Sequence, residues 1–336
     1  MSSTNFSYFK EPVYNRIFRN YISKKVSRVR WKPQDYNAQP EYLVSGSYSE
    51  KENSLDLWYY PTNKELEDEE DEIYMHLPVH SMLVKRGDVT GLMFHERDKF
   101  IYSTSQGVVA MVGLDKKKMK MLNEWELKGE AAGFDVDISS RKICIFGESA
   151  VFFGLDSDSS IGIIENNNLK CGSFLRQDEI VVGNLRGQLF VYDLRTNLKP
   201  TMAFPYNSES AVGVTCVRPY PNQKHILVAT GLDGNVTTWD LRKHVSPTDL
   251  YLGHDSPISH FQFSDRRPNN MFTTCYSGEM WHWTNFDMML AGSQPDVRAL
   301  LDRKKYPTNY CDVYNDHLVA ATDNDCLVIV SPLKLV

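Results

Sequence analysis

Short apolar runs alternate with turn residues along this chain, most plainly from His225 to Arg242. Ile226, Leu227, Val228 and Ala229 form an apolar run bounded by Gly231-Leu232-Asp233-Gly234, whose Asp-Gly pair is a hairpin turn signal. Asn235-Val236-Thr237-Thr238-Trp239 then reads at period two, with β-branched and aromatic residues that suit a pleated, half-buried surface. The stretch predicts a β-hairpin that ends on Trp239-Asp240-Leu241-Arg242. The pattern recurs. An aromatic or apolar anchor follows a turn residue by five positions at Trp58 (Asn53), Val112 (Gly107), Phe153 (Glu148), Tyr192 (Gly187), Trp239 (Gly234), Trp283 (Gly278) and Val330 (Asp325). Successive anchors lie 54, 41, 39, 47, 44 and 47 residues apart. Apolar strands precede the turns, among them Tyr42-Leu43-Val44, Ile143-Cys144-Ile145-Phe146, Ile180-Val181-Val182 and Leu318-Val319-Ala320.

A period of about 40–45 residues is that of the four-stranded WD-repeat blade. The expected fold is therefore all-β, a seven-bladed WD40 β-propeller, with Trp58, Tyr192, Trp239 and Trp283 as the principal blade anchors. The long first gap holds the acidic run Glu65–Glu72, read as part of an inserted loop over residues 61–72. Residues 1–12 read as a disordered tail and 13–336 as one propeller. The last repeat supplies three strands, and Val13–Ile22 supplies one without a hairpin partner. Joining them completes the last blade, closes the ring and leaves no exposed sheet edge. Blade one opens at Val26–Trp31, with its outer strand expected near Ile73–Val79. Later blades open near Asp88, Gly133, Asn168, Val212 and Ile258. Residues 288–305 read as an insertion before the last blade, with Asp296–Leu301 as a short helix.

Composition narrows the function classes. At 42% hydrophobic and 24% charged the chain is ordinary for a soluble protein. A net charge of −6 argues against gripping a phosphate backbone, so no direct nucleic-acid partner is expected. Lys116-Lys117-Lys118 reads as a solvated turn. No apolar run reaches about 18 residues, so no transmembrane segment is expected, and the N-terminus lacks a signal-peptide core. The six cysteines show no CxxC pair and fall mostly beside apolar strands, as free thiols of a reducing compartment would.

Signatures of catalysis are missing. The chain has no GxSxG, HExxH, phosphate-binding glycine loop or EF-hand pattern. No enzyme activity, metal or cofactor is expected. Gly253-His254 matches the Gly-His dipeptide of WD repeats, where the histidine bonds within the blade. In Trp281-His282-Trp283, strand alternation puts both tryptophans on one side and His282 on the other. Blade packing accounts for them. Asn235-Val236-Thr237 is a glycosylation sequon by letters only, and the acidic run reads as a solvated loop.

A propeller does not declare its partner. Three stretches, Tyr21–Pro33, Leu43–Tyr48 and Glu52–Trp58, resemble the opening of the nucleoporin 43 family, the small WD-repeat subunit of the Y-shaped nuclear pore scaffold. His225–Arg242 and Asn269–Cys275 with Gly278–Trp283 resemble the same family, although its Trp-Asp at blade six is Trp283-Thr284 here. The resemblance implies a non-enzymatic scaffold subunit on the short arm of the Y complex, beside an α-solenoid nucleoporin. It further implies a place in the nuclear pore complex at the nuclear envelope, support of pore assembly and of mRNA and protein transport, and a kinetochore association in mitosis.

An alternative of another class stays open. Tyr192-Asp193-Leu194-Arg195 and Trp239-Asp240-Leu241-Arg242 place Asp-x-Arg alike in consecutive blades. This resembles the box by which WD-repeat substrate receptors dock on cullin-4 ubiquitin ligases, with Arg195 and Arg242 as the partner contacts. The plainer reading is a local ion pair that holds the end of each strand.

Overall fold

A computed structural model describes residues 16–35, 38–61, 75, 77–157, 159–165, 168–196, 199–207, 210–243 and 249–336. The described strands form seven four-stranded antiparallel sheets, each built from consecutive strands except the last. That sheet joins Thr308–Tyr314, His317–Thr322 and Cys326–Ser331 to Arg16–Tyr21 from the other end of the chain. The added strand pairs antiparallel from Arg16 opposite Ser331 to Tyr21 opposite Cys326. Each first strand lies against the first strands of both neighbouring blades, and the seventh lies against the first. The fold is a seven-bladed propeller.

Second strands are the most apolar because neighbouring blades cover both of their faces. Lys142–Gly147, Glu179–Asn184 and Lys99–Thr104 are buried everywhere past their first residue. Such a strand reads as a continuous apolar run rather than an alternation, which is why these were the easiest to find. Fourth strands face solvent and read poorly; His80–Leu83 and Ser160–Ile164 alternate or lie mostly exposed. Every sequence anchor falls on a third strand and is buried, from Val112 and Val330 at 0% exposure to Phe153 at 7%. The turn before Trp239 requires glycine. Gly234 has φ +80°, and a Cβ there would overlap the carbonyl oxygen of His254.

The structure corrects several boundaries. The outer strand of blade one is described at His80–Leu83, and of the expected Ile73–Val79 residues 73, 74 and 76 lie outside the described residues. Pro78 has no N–H to give a ladder, so pairing with Ser54–Tyr59 is established only beyond it. Asp296–Leu301 is not a helix but the fourth strand of blade six, paired along Met280–Thr284. Its apolar residues satisfied a helical spacing, yet Val297 and Leu301 also share one face at period two. The open edge of Met280–Thr284 decides between the two readings. The helix of this region is Phe286–Leu290, which buries Phe286 and Met289. Residues 1–12 and the acidic run Glu65–Glu72 lie outside the described residues.

Candidate functional site

The anchors differ in how their polar atoms are met. Trp58 Nε1 donates to Ser45 Oγ at 2.8 Å, and Trp283 Nε1 donates to Thr273 Oγ1 at 3.0 Å. Both acceptors stand two residues beyond the tryptophan's cross-strand partner, Leu43 or Met271. Opposite Trp239 the partner is Leu227, and two residues on stands Ala229. Trp239 Nε1 is accordingly buried with no hydrogen-bond partner, and Trp239 relies on packing, including Phe204 at 4.5 Å between ring centroids. Tyr192, at 3% exposure, lies across from Ile180.

The histidines singled out in the sequence sit inside blade six. His254 Nε2 lies 2.8 Å from the same Thr273 hydroxyl, and its Nδ1 lies 3.5 Å from Glu279 Oε2. Thr273 Oγ1 accepts from Trp283 and also meets His254 Nε2, where the direction follows the imidazole tautomer. His254, Cys275 and Glu279 offer ligand atoms within 4.8 Å of one another. His254 is buried and bonded through Nε2 to Thr273 within the packing, so the group is best read as structural. His282 stacks on Phe272 at 4.4 Å and meets Asn270 Oδ1 at 2.9 Å. Burial, then Arg298, pushes its pKa down to about 4, so it is a neutral core histidine.

The two Asp-x-Arg corners are alike in geometry. Arg195 closes a fork on Asp193, Nε–Oδ1 at 2.9 Å and Nη2–Oδ2 at 2.7 Å. Arg242 repeats it on Asp240 with the same two distances. The bidentate contact holds Asp193 and Asp240 at about 2, below the ordinary carboxylate range. Both arginine side chains are nonetheless 67% and 65% exposed. The fork ties down the strand end and leaves one guanidinium face to solvent.

The axial channel is the feature that sequence reading missed. All seven first strands carry the same bulge, at Ser27, Thr90, Ala132, Lys170, Thr215, Ser259 and Asn309. A bulge re-aims its side chain, and at four of the seven it bonds the next blade. Ser27 Oγ donates to Val89 O at 2.5 Å, Thr90 Oγ1 to Ala131 O at 2.7 Å, Ser259 Oγ to Thr308 O at 2.6 Å and Asn309 Nδ2 to Val26 O at 2.8 Å. Deeper along the same strands, Asp312 accepts from Trp31 N and Arg30, and Asp135 accepts from Phe174 N and Ser173. Arg28, Arg30, Lys170 and Arg218 also line the channel. The signal that would have revealed them is a charged residue recurring in otherwise apolar first strands, visible once the bulges set the register.

Comparison with known proteins adds a relationship to this geometry. No protein-family model matches the chain. Nucleoporin Nup43 of Mus musculus and that of Homo sapiens each align at 24% identity over 292 residues, 80% of this chain and 75% of theirs. The chain is distantly similar to Nup43. Similarity to Nup43 over that much of both chains is in keeping with a propeller used as a scaffold. Among the described residues no helix is long and apolar enough to cross a membrane.

Proposed function

We propose that this chain is a non-enzymatic, Nup43-like structural subunit of the nuclear pore complex. It would stand on the short arm of the Y-shaped scaffold beside an α-solenoid nucleoporin and support pore assembly and nucleocytoplasmic transport. The kinetochore association of the resembled family belongs to the same proposal. The observation that carries it is the alignment to Nup43 over 292 residues. The packed seven-bladed disc fits that role, because it can hold partners on its rim and faces without rearranging. Affinity purification of the tagged chain from native extract tests the reading. Helical-solenoid nucleoporins in near-equal amounts are expected, with ligase components at background.

The exposed guanidinium faces of Arg195 and Arg242 favour the ligase-receptor reading as the one to exclude. If the forks only lock strand ends, the Arg195→Ala/Arg242→Ala double variant keeps its nucleoporin partners. Exposed ion pairs of this kind contribute about 0–1 kcal/mol to folding. If the arginines are interface contacts, each is a hot spot of about 2 kcal/mol or more. Stoichiometric cullin adaptor from the wild type, lost in a folded double variant, would overturn the nucleoporin assignment.

A further inference from the structure

A cavity of about 410 Å³ runs along the ring axis, lined by the first strands of all seven blades. It opens on the face bearing the turns after the second strands, where Tyr48, Tyr276 and Asp323 line its mouth. Its volume is within the range of small-molecule sites, about 300–1,000 Å³. Its charge is what calls for an occupant.

Arg30 is paired, with Asp312 at 2.7 Å. Arg28 is not: its guanidinium meets the Ser27 carbonyl at 2.8 Å and lies over the Tyr310 ring at 5.1 Å. Among the described residues, Lys170 and Arg218 form no ion pair, although both line the cavity. The carboxylates nearby are already engaged. Asp135 accepts from Ser173 and Phe174 N at 3.0 and 2.8 Å. At the mouth, Asp323 is held by Tyr48 and Asn309, and Asp88 by Ser49 N and Asn53. Asp135 lines the cavity too and acts on Arg218, and Arg28, Lys170 and Arg218 converge on the axis with it. The Lys170 side chain reaches solvent, and the partial desolvation of the channel, then Arg28, pulls its ammonium below the ordinary value.

A neutral ring completes the wall. His260 is 5% exposed, and its Nε2 has no hydrogen-bond partner. Burial, then Arg218, Arg30 and Arg28, keeps the ring uncharged. Burial keeps the Cys311 thiol protonated, and its Sγ lies 3.9 Å from His260 Nδ1. Gly133 leaves room on the wall, since a Cβ there would touch nothing within 4 Å.

We infer that the axial cavity binds a small phosphate-bearing anion, held by Arg28, Lys170 and Arg218 beside the uncharged His260. Phosphate fits because its oxygens accept from several convergent donors at once. The site is independent of which proteins the rim and faces hold.

Titration calorimetry of the full chain at low salt, with inorganic pyrophosphate, ATP and inositol hexakisphosphate in separate runs, tests it. At least one is expected to bind saturably at one site, weakening as salt is raised. Lys170→Gln removes a side chain that makes no hydrogen bond among the described residues and should leave the fold intact. It should weaken binding by about tenfold. Arg218→Gln should do the same. If Arg218→Gln fails to fold, the Lys170→Gln result decides alone. Absence of saturable binding by all three anions overturns the site, as does unchanged affinity in Lys170→Gln. A glutamate-rich peptide that binds there while no phosphate compound does would also overturn it, in favour of a protein segment.

Discussion

The joint between blades seven and one is made differently from those on the far side of the ring. Where the chain ends meet, Asn309 bonds the Val26 carbonyl, Asp312 takes Trp31 N at 2.8 Å, and Arg30 reaches Asp312, Tyr310 and the Leu92 carbonyl. An apolar cluster with Phe18, Trp31, Trp58, Tyr60 and Ile329 backs these bonds. Among the described residues, no side-chain hydrogen bond ties the first strand of blade four to that of blade five, or five to six. The bulge positions there are Lys170 and Thr215, and Thr215 bonds Thr230 within its own blade. Those joints rest on packing between first strands, around Trp239 with Val181 and Val214 and around Trp283 with Phe261 and Ile258, and their polar ties lie farther out, where Tyr206 Oη donates to Asp233 and Tyr220 Oη to Asp287. At the joint of seven and one, Arg16–Tyr21 runs on into Val26–Trp31, but the three C-terminal strands of blade seven are tied to that segment only by contacts.

The largest effect should come from removing that joint's added strand. Deleting residues 1–12 is expected to leave the melting temperature nearly unchanged. Deleting 1–22 strips Arg16–Tyr21 from Cys326–Ser331 and exposes a fully buried strand. A fall of about 10 °C or more, or aggregation, is expected. Equal melting temperatures for the two deletions would show that the pairing does not hold the ring.

A single side chain should come next. Asp312→Ala leaves Arg30 buried without its partner and Trp31 N without an acceptor, which should cost about 3–5 kcal/mol. Asp135→Ala removes the corresponding carboxylate between blades three and four. Its bonds come from a hydroxyl and a backbone N–H, so about 1–3 kcal/mol is expected. Denaturant melts that rank the two the other way would put the stronger latch elsewhere.

Acid should weaken the structure through its neutral histidines. His317 packs against Tyr60 at 5.5 Å at the joint, and burial lowers its pKa; His260 and His282 are lowered too. A depressed histidine gives stability that is complete above its unfolded value of about 6.5 and is lost as pH falls toward the folded value. For His282, folded at about 4, the loss between pH 7 and pH 5 is about 2 kcal/mol. His254 opposes the trend, because Cys275 and Glu279 raise it against burial. His282→Asn should flatten the pH dependence of denaturant melts between pH 7 and 5, and an unchanged slope would mean that His282 does not carry it.

The blades were legible where third strands end in large aromatics, because one turn spacing and one apolar run fix both inner hairpin strands. The fourth strands were not. His80–Leu83 and Asp296–Leu301 form because a paired edge is waiting, and their own residues encode little of it. The Asp-x-Arg corners could be read because both partners sit two residues apart. The channel cations could not, since Arg28, Lys170 and Arg218 come together only when separate blades close around one axis.

The smallest expected change is a gain on the packed side of the ring. Trp239 is the large anchor of blade five, at 1% exposure, and its indole N–H is orphaned because Ala229 stands where Ser45 and Thr273 serve Trp58 and Trp283. Ala229→Ser places a hydroxyl at the corresponding register position. A buried donor left unsatisfied costs about 1–3 kcal/mol, and a new bond returns part of that. The hydroxyl must itself be desolvated at a site with 0% exposure, so the net gain should be about 0.5–1 kcal/mol. Thr would add a methyl group to a filled cluster and should gain less or lose. Denaturant melts of the Ser variant distinguish the outcomes. A rise would show that joint four-to-five tolerates the polar pairing of the other blades. A loss above about 1 kcal/mol would show that its packing leaves no room for an oxygen, making the contrast between the two sides of the ring sharper still.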